Sequence, residues 1–261
     1  MMSGIIDTHA HLYGEEFQDD IEDVVGRARE CGVEKIFLPN INESTVDRMC
    51  RLCNRWPGFF YPMMGLHPTD LDENYMQTLD RMEERLKGPH IYIGIGEVGL
   101  DYYWERTYYE EQKTAFVRQV EWALAYGLPL MIHSRSAQKE LVELLSPYKG
   151  KGLRGVFHSF GGTADEAEEL LSFDHFMLGI NGVLTFKKSG LPDVLGTIPL
   201  ERVVLETDSP YLTPVPYRGR RNESAYICHT LRKMAEVYGL PVEIVAEQTR
   251  KNALDTFTRA L

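Results

Sequence analysis

Eight short runs of uninterrupted apolar residues recur along the 261-residue chain, each followed by a turn and a longer amphipathic stretch. They are Ile5-Ile6, Ile36-Phe37-Leu38, Tyr61-Pro62-Met63-Met64, Ile91-Tyr92-Ile93-Gly94-Ile95, Leu130-Met131-Ile132, Gly155-Val156-Phe157, Phe176-Met177-Leu178-Gly179-Ile180 and Val203-Val204-Leu205. Continuous apolarity marks strands covered on both faces, as in a parallel sheet; a half-exposed sheet would alternate. Between the runs, Leu141, Leu144, Leu145 and Tyr148 follow helical spacing, as do Leu231, Met234, Ala235 and Tyr238. Thr163 with Glu166 makes a capping box that opens a helix through Leu171. From His9 to Asp208 the repeat is roughly 28 residues per unit, room for a strand, a helix and two short loops. The pattern predicts an α/β fold: a closed (β/α)8 barrel spanning 1–261 as a single domain, a common size for this architecture. An extra C-terminal helix over roughly Val242 to Ala260 is expected on the outer ring. An open doubly wound sheet is the alternative, but Asp7-Thr8-His9-Ala10-His11 stands where its glycine-rich phosphate turn would be.

Composition removes several classes of function. Lys and Arg number 28 against 39 Asp and Glu, a net charge of −11, so binding to nucleic acid by diffuse attraction is disfavoured. A phosphate-bearing substrate must be met locally, by metal or by a few cations. The longest nearly uncharged apolar stretch, Phe59 to Leu66, is far shorter than the ~20 residues a bilayer requires. Met1 to Ile6 has neither a basic start nor a long apolar run, so no secretory signal is expected. The cysteines are Cys31, Cys50, Cys53 and Cys228; the single CxxC falls within a helix-like stretch and has no second pair to complete a zinc site. Reduced structural thiols and a cytoplasmic location are expected.

The polar residues that follow the apolar runs are the functional signal. Asp7, His9 and His11 follow the first run, His67 the third, Glu97 and Asp101 the fourth, His133 the fifth, His158 the sixth and Asp208 the eighth. In a barrel those strand ends converge on one mouth, where the active sites of this fold lie. His9 and His11, two apart on an extended segment, point to the same side. Four imidazoles and two carboxylates in one pocket would be a costly desolvated cluster unless divalent cations occupied it. The expected ligands are therefore His9, His11, Glu97, His133, His158 and Asp208. Six exceed what one tetrahedral ion needs, so two ions are expected: His9, His11 and Asp208 on one, His133 and His158 on the other, Glu97 bridging. Two ions about 3.5–4 Å apart clamp the attacking and leaving oxygens of a phosphoryl group and pull the pKa of water toward ~7. A free Asp208 oxygen could accept the proton. Nitrogen and oxygen ligands without thiolate suit magnesium, manganese or zinc.

The motifs themselves resemble those of the TatD family of metal-dependent deoxyribonucleases. They are Asp7-Thr8-His9-Ala10-His11-Leu12, Gly65-Leu66-His67-Pro68, Gly94-Ile95-Gly96-Glu97-Val98-Gly99-Leu100-Asp101-Tyr102, His133-Ser134-Arg135, Phe157-His158-Ser159-Phe160, Gly182-Val183-Leu184-Thr185-Phe186-Lys187, Glu206-Thr207-Asp208-Ser209-Pro210-Tyr211-Leu212 and Pro216-Tyr217-Arg218-Gly219-Arg220-Arg221-Asn222-Glu223. They run in order from residue 5 to beyond 220. The resemblance implies a TIM barrel of the metal-dependent hydrolase superfamily, hydrolysis of DNA phosphodiesters, and the same six ligands. It also associates His67 with substrate phosphate or catalysis. Ser159 stands where many relatives carry cysteine, and Gly161 where they carry serine or threonine; neither is an expected ligand. The amide-hydrolysing branch often bridges its metals with a modified lysine on strand four, where this chain has Glu97.

Catalytic roles are thus expected for Asp208, Glu97 and His67, and substrate contacts for His67, Arg135, Arg218 and Tyr102. Arg220, Arg221, Lys187 and Lys188 share the seventh and eighth loops with Arg218 and would make the mouth locally positive. Tyr102, Tyr103 and Trp104 could stack unpaired bases or pack beneath the loop. Asp101 is a candidate partner for a ligand histidine, and Asp7 for a hydrogen bond within the pocket. His90, His175 and His229 are read as ordinary. The expected activity is a divalent-metal-dependent deoxyribonuclease, cutting single-stranded DNA ends or oligonucleotides with two ions, and no obligate protein partner. The alternatives are a metal-dependent ester hydrolase, such as a D-aminoacyl-tRNA deacylase or lactonase, and a metal-dependent nucleic-acid-binding protein without turnover.

Overall fold

A computed structural model describes residues 4–261. Eight parallel strands line up in chain order: β1 (Ile5–Asp7), β2 (Val33–Leu38), β3 (Phe60–Met64), β4 (Gly94–Asp101), β5 (Leu130–Arg135), β6 (Gly155–Phe157), β7 (Phe176–Ile180) and β8 (Val203–Leu205). The helices between and after them are α1 (Ile21–Glu30), α2 (Glu43–Arg55), α3 (Tyr75–Glu84), α4 (Tyr109–Tyr126), α5 (Gln138–Leu145), α6 (Ala164–Leu171), α7 (Leu191–Leu195), α8 (Ile227–Tyr238) and α9 (Val242–Thr256). The capping box that opens α6 has both halves: Glu166 N–H donates to Thr163 Oγ1 at 3.2 Å, and Thr163 N–H to Glu166 Oε2 at 2.6 Å.

The barrel closes just beyond the carboxyl ends of β1 and β8. Thr8 N–H donates to Leu205 O at 3.1 Å, and Ala10 bridges Ser209 in parallel. Buried Asp7 locks the seam, accepting from Thr207 N–H (2.9 Å), Thr207 Oγ1 (2.7 Å) and Ser224 Oγ (2.6 Å). The closing bonds therefore lie at the mouth that carries the polar residues.

Two sequence expectations need correction. The fourth strand begins at Gly94 instead of Ile91 and runs on to Asp101, so Glu97 lies inside it. One extra β4 residue between the pairings Ile95–Leu130 and Val98–Ile132 makes a bulge at that point. The C-terminal helix is also not an outer-ring appendage. Ala253, Leu254, Phe257 and Ala260 share one buried cluster with Ile6, Phe37, Met63, Ile93, Met131, Val156 and Val204, which are interior positions of seven strands or their approaches. The chain end plugs the amino-terminal end of the barrel, because apolar interior side chains there need a cover and helix α9 supplies one.

Phe257 is fully buried, 5.1 Å from Phe37 between ring centroids. Phe257→Ala is expected to lower stability by about 3–5 kcal/mol, read as an earlier midpoint in urea unfolding. An unchanged midpoint would return α9 to the status of an appendage.

Candidate metal centre

Period-two alternation carries the barrel interior from apolar to polar. Met131, Val156 and Val204 point inward at the closed end, and two residues later the same face presents His133, His158 and Glu206. Beside them, Gly179 leaves space: a Cβ there would stand 2.2 Å from Glu206 Oε2. From β1, His9 and His11 share a parity with each other but not with interior Ile6, so the chain turns beyond the strand to bring them in, and Asp208 enters from a left-handed backbone (φ 59°) held by its N–H to His9 O at 2.9 Å. A non-glycine residue in that region is strained and persists where surrounding bonds demand it.

Glu97 is the hub. Only 3% exposed, its carboxylate lies within 3.9 Å of five imidazoles. Oε2 is 3.1 Å from His9 Nε2 and 3.4 Å from His11 Nε2. Oε1 is 3.0 Å from His133 Nδ1, 3.4 Å from His67 Nε2 and 3.9 Å from His158 Nε2. Opposite it, Asp208 Oδ1 stands 3.7 Å from His9 Nε2, 3.8 Å from His11 Nε2 and 3.7 Å from His158 Nε2. Three trios could each converge on a cation: His9, His11 and Asp208; His67, Glu97 and His133; His9, His158 and Glu206. The first is the trio expected from sequence. In the second, His67 is the neighbour of Glu97 and His133, and the His133 and His158 rings lie 6.5 Å apart.

Outer partners decide which nitrogens offer lone pairs. Tyr13 donates its hydroxyl hydrogen to Pro39 O (2.6 Å), so its oxygen accepts from His11 Nδ1 (3.0 Å) and leaves the His11 Nε2 lone pair facing Glu97. Glu206 Oε1 sits 2.9 Å from His158 Nδ1 and draws the proton there, again leaving Nε2 free toward the centre. Asp101 Oδ2 takes the Nε2–H of His133 at 2.9 Å, turning Nδ1 inward. These are the outer contacts that orient metal-binding histidines. His9 Nε2 and His11 Nε2 are 3.1 Å apart, and His9 Nδ1 is buried without a partner; with the His9 proton on Nδ1, both Nε2 lone pairs face inward, an arrangement that a cation between them would relieve. The donor set therefore fits divalent metal. His67 differs: its Nδ1 accepts from Thr69 N–H at 3.2 Å, so in the neutral ring the proton is on Nε2. Burial lowers its pKa, which keeps it neutral. In this tautomer His67 donates a hydrogen bond from Nε2, and the trio of His67, Glu97 and His133 then lacks the His67 lone pair it would need to hold a cation.

The electrostatics without metal follow from the same contacts. Burial alone would raise the Glu97 pKa, but His9, His67, His11 and His133 hold it well below the usual carboxylate range. Burial and the stacked His158 ring, 3.5 Å away, hold His9 well below the usual imidazole range. Burial also pulls His158 down, yet Glu206 and Asp208 raise it to about 10. Asp208 is pushed up to about 6 by burial, against the pull of His158 and His11.

The family model for TatD related DNases matches residues 6–258. The chain belongs to the TatD family. It is 34% identical over 254 residues to a metal-dependent hydrolase, YabD, of Bacillus subtilis, covering 97% of this chain and 98% of that one. It is 32% identical over 265 residues to the 3'-5' ssDNA/RNA exonuclease TatD of Pantoea vagans, covering 98% and 100%. The crystal structure of YjjV, a TatD homologue from Escherichia coli, superposes with a TM-score of 0.92 at 27% identity over 99% of both chains. A TatD family hydrolase from Entamoeba histolytica superposes at 0.86 with 22% identity, covering 98% and 99%, which speaks to the fold.

Around this TatD centre the remaining expected residues divide. Tyr102 is not on the mouth surface: its ring packs edge-on against Tyr109 at 4.5 Å and its hydroxyl is buried. The exposed rings of that loop are Tyr103 and Trp104. Arg135 is exposed at the end of β5, and Arg218 is exposed with its guanidinium 3.8 Å over the Phe186 ring. Lys187, Lys188 and Arg220 are exposed and make no ion pair among the described residues. Arg221 is instead committed to a two-pronged pair with Asp20, at 2.8 and 2.6 Å, because the loop after β8 folds back onto the start of α1. His90 meets Arg259 at 3.3 Å near the plugged end. Sequence reading passed over Glu206 and Tyr13. Glu206 shares the parity of Val204 exactly as His158 shares that of Val156, a signal that was available; Tyr13 continues the alternation of His9 and His11.

Divalent cation should stabilise this TatD protein by mass action, about 2.7 kcal/mol at a hundredfold excess over Kd. EDTA should therefore lower the midpoint of thermal unfolding, and His11→Ala should abolish the rise on adding manganese. In the metal-free protein His158 holds its proton to about pH 10, whereas an unfolded histidine releases it near 6.5. Folding takes up a proton in between, so this stabilisation is complete below pH 6.5 and fades as pH rises toward 10. Glu206→Gln should flatten that fall in a series of urea titrations with EDTA. Parallel curves for the two proteins would show that Glu206 does not charge His158.

Proposed function

We propose that the chain is a divalent-metal-dependent nuclease that removes nucleotides from single-stranded DNA ends. The observation that carries this reading is Glu97 in contact with five imidazoles, three of them turned inward by Tyr13, Glu206 and Asp101. Membership of the TatD family supports it, as do relatives named 3'-5' ssDNA/RNA exonuclease. Two cations are proposed, magnesium, manganese or zinc, with His9, His11 and Asp208 beside Glu97 on one side, and His133 and His158 on the other. Free cysteines agree with a cytoplasmic setting, and no helix among the described residues is long and apolar enough to cross a membrane.

When bound, such cations polarise the scissile phosphodiester and make hydroxide available near neutral pH. The chain's own groups supply orientation and proton handling. Glu97 keeps its negative charge and holds the imidazoles in one arrangement. Asp208 can take a proton at the oxygen not facing the cation and release it to solvent. His67 directs Nε2–H into the pocket, where it donates to a phosphate oxygen and helps hold the strand. Lys187, Lys188, Arg218 and Arg220 surround the mouth with positive charge, which favours a nucleic acid over a neutral ester. Binding should weaken with salt because these contacts are ionic, and with a modest slope because they are few.

Glu97→Gln and Asp208→Asn, each shown folded by circular dichroism, should lose at least about a hundredfold in kcat on a short single-stranded oligonucleotide. EDTA should abolish turnover and manganese restore it. Wild-type rates in either variant, or full activity in EDTA, would overturn the reading.

A further inference from the structure

The loop after β4 displays two large rings at the rim of the mouth. Trp104 is 69% exposed and Tyr103 46%, although rings of this size are normally covered. They meet edge to face, centroids 4.7 Å apart. Arg135 completes the cluster from the end of β5, its guanidinium carbon 4.6 Å from the Tyr103 centroid and 5.7 Å from that of Trp104. The cluster is fixed from below. Asp101 Oδ1 accepts the backbone N–H of Tyr103 at 2.9 Å and of Trp104 at 2.7 Å, while Oδ2 holds His133 Nε2 at 2.9 Å. Tyr102 N–H donates to Arg135 O at 2.9 Å. One carboxylate thus sets both a histidine of the metal centre and the backbone of the exposed pair.

We propose that Tyr103, Trp104 and Arg135 form a subsite that stacks the unpaired nucleobase beside the scissile phosphate of single-stranded DNA; this rests on the nuclease reading above. Every base offers a π face, so such a contact is tolerant of sequence, and a guanidinium adds cation–π attraction. Bases inside a duplex are already stacked on one another and cannot be offered to it. The subsite therefore selects single strands and frayed ends. A chain of net charge −11 gains little from diffuse attraction to a polyanion. Stacking supplies affinity that bulk charge does not oppose, and the Asp101 bridge places it at a fixed distance from His133.

The test compares a labelled short oligothymidylate with an abasic strand of equal length, by fluorescence anisotropy on the EDTA-treated full chain. The wild type should bind the base-bearing strand about tenfold more tightly, and that strand alone should quench tryptophan emission. Trp104→Ala should erase the preference and Trp104→Phe retain it. In the cation-loaded enzyme, Trp104→Ala should raise KM for oligothymidylate about tenfold, with kcat within about twofold. Equal binding of both strands by the wild type, including no measurable binding of either, overturns the subsite; if the loaded wild type still cuts the strand, the nuclease reading survives. A loaded wild type that cuts no strand overturns that reading and the subsite with it.

Discussion

A single buried carboxylate among five imidazoles is the constraint to which the rest of the molecule answers. Glu97 cannot be desolvated alone; each histidine beside it repays part of that penalty, and the histidines in turn require partners for their outer nitrogens. Tyr13, Asp101 and Glu206 meet that need for His11, His133 and His158, whereas His9 Nδ1 stays buried without a partner. The bulge in β4, the left-handed backbone at Asp208 and the Asp7–Thr207–Ser224 lock are local departures from regular barrel geometry. All three lie where strands β1, β4 and β8 deliver side chains to the centre. Irregularity is concentrated at the site because ideal strands would send these groups alternately to the two faces of the sheet instead of to one point.

The barrel also separates its tasks by end. At the amino-terminal end, seven interior apolar side chains and the α9 plug make a dry core whose packing stabilises the fold. Two residues further along β5, β6 and β8 the interior presents His133, His158 and Glu206 and is poorly suited to stability. A preorganised cluster of titratable groups is tolerable there because the dry end and the helices of the outer layer hold the strands in register. Stability and chemistry are thus stacked along one axis, separated by a single step of the β repeat.

Charge is arranged with the same economy. The surface as a whole is acidic, but the seventh and eighth loops keep Lys187, Lys188, Arg218 and Arg220 exposed, while Arg221 secures the loop to Asp20. At the rim the rings of Tyr103 and Trp104 stand beside Arg135.

The eight apolar runs and the polar residues after them determined the parallel barrel, its single mouth and the convergence of His9, His11, Glu97, His133, His158 and Asp208 there, because strand direction follows from backbone geometry. The capping box of α6 was legible for the same reason: its bonds are local. Tertiary structure decided what depends on distant partners. Whether α9 lies outside or plugs the barrel turns on the hole left by Phe37 and Met63. Whether His67 ligates or donates turns on the Thr69 N–H at its Nδ1, and whether Tyr102 or Trp104 faces solvent turns on Tyr109. A residue's chemical type is written in the chain, but its protonation, direction and exposure are properties of the neighbours that folding brings to it.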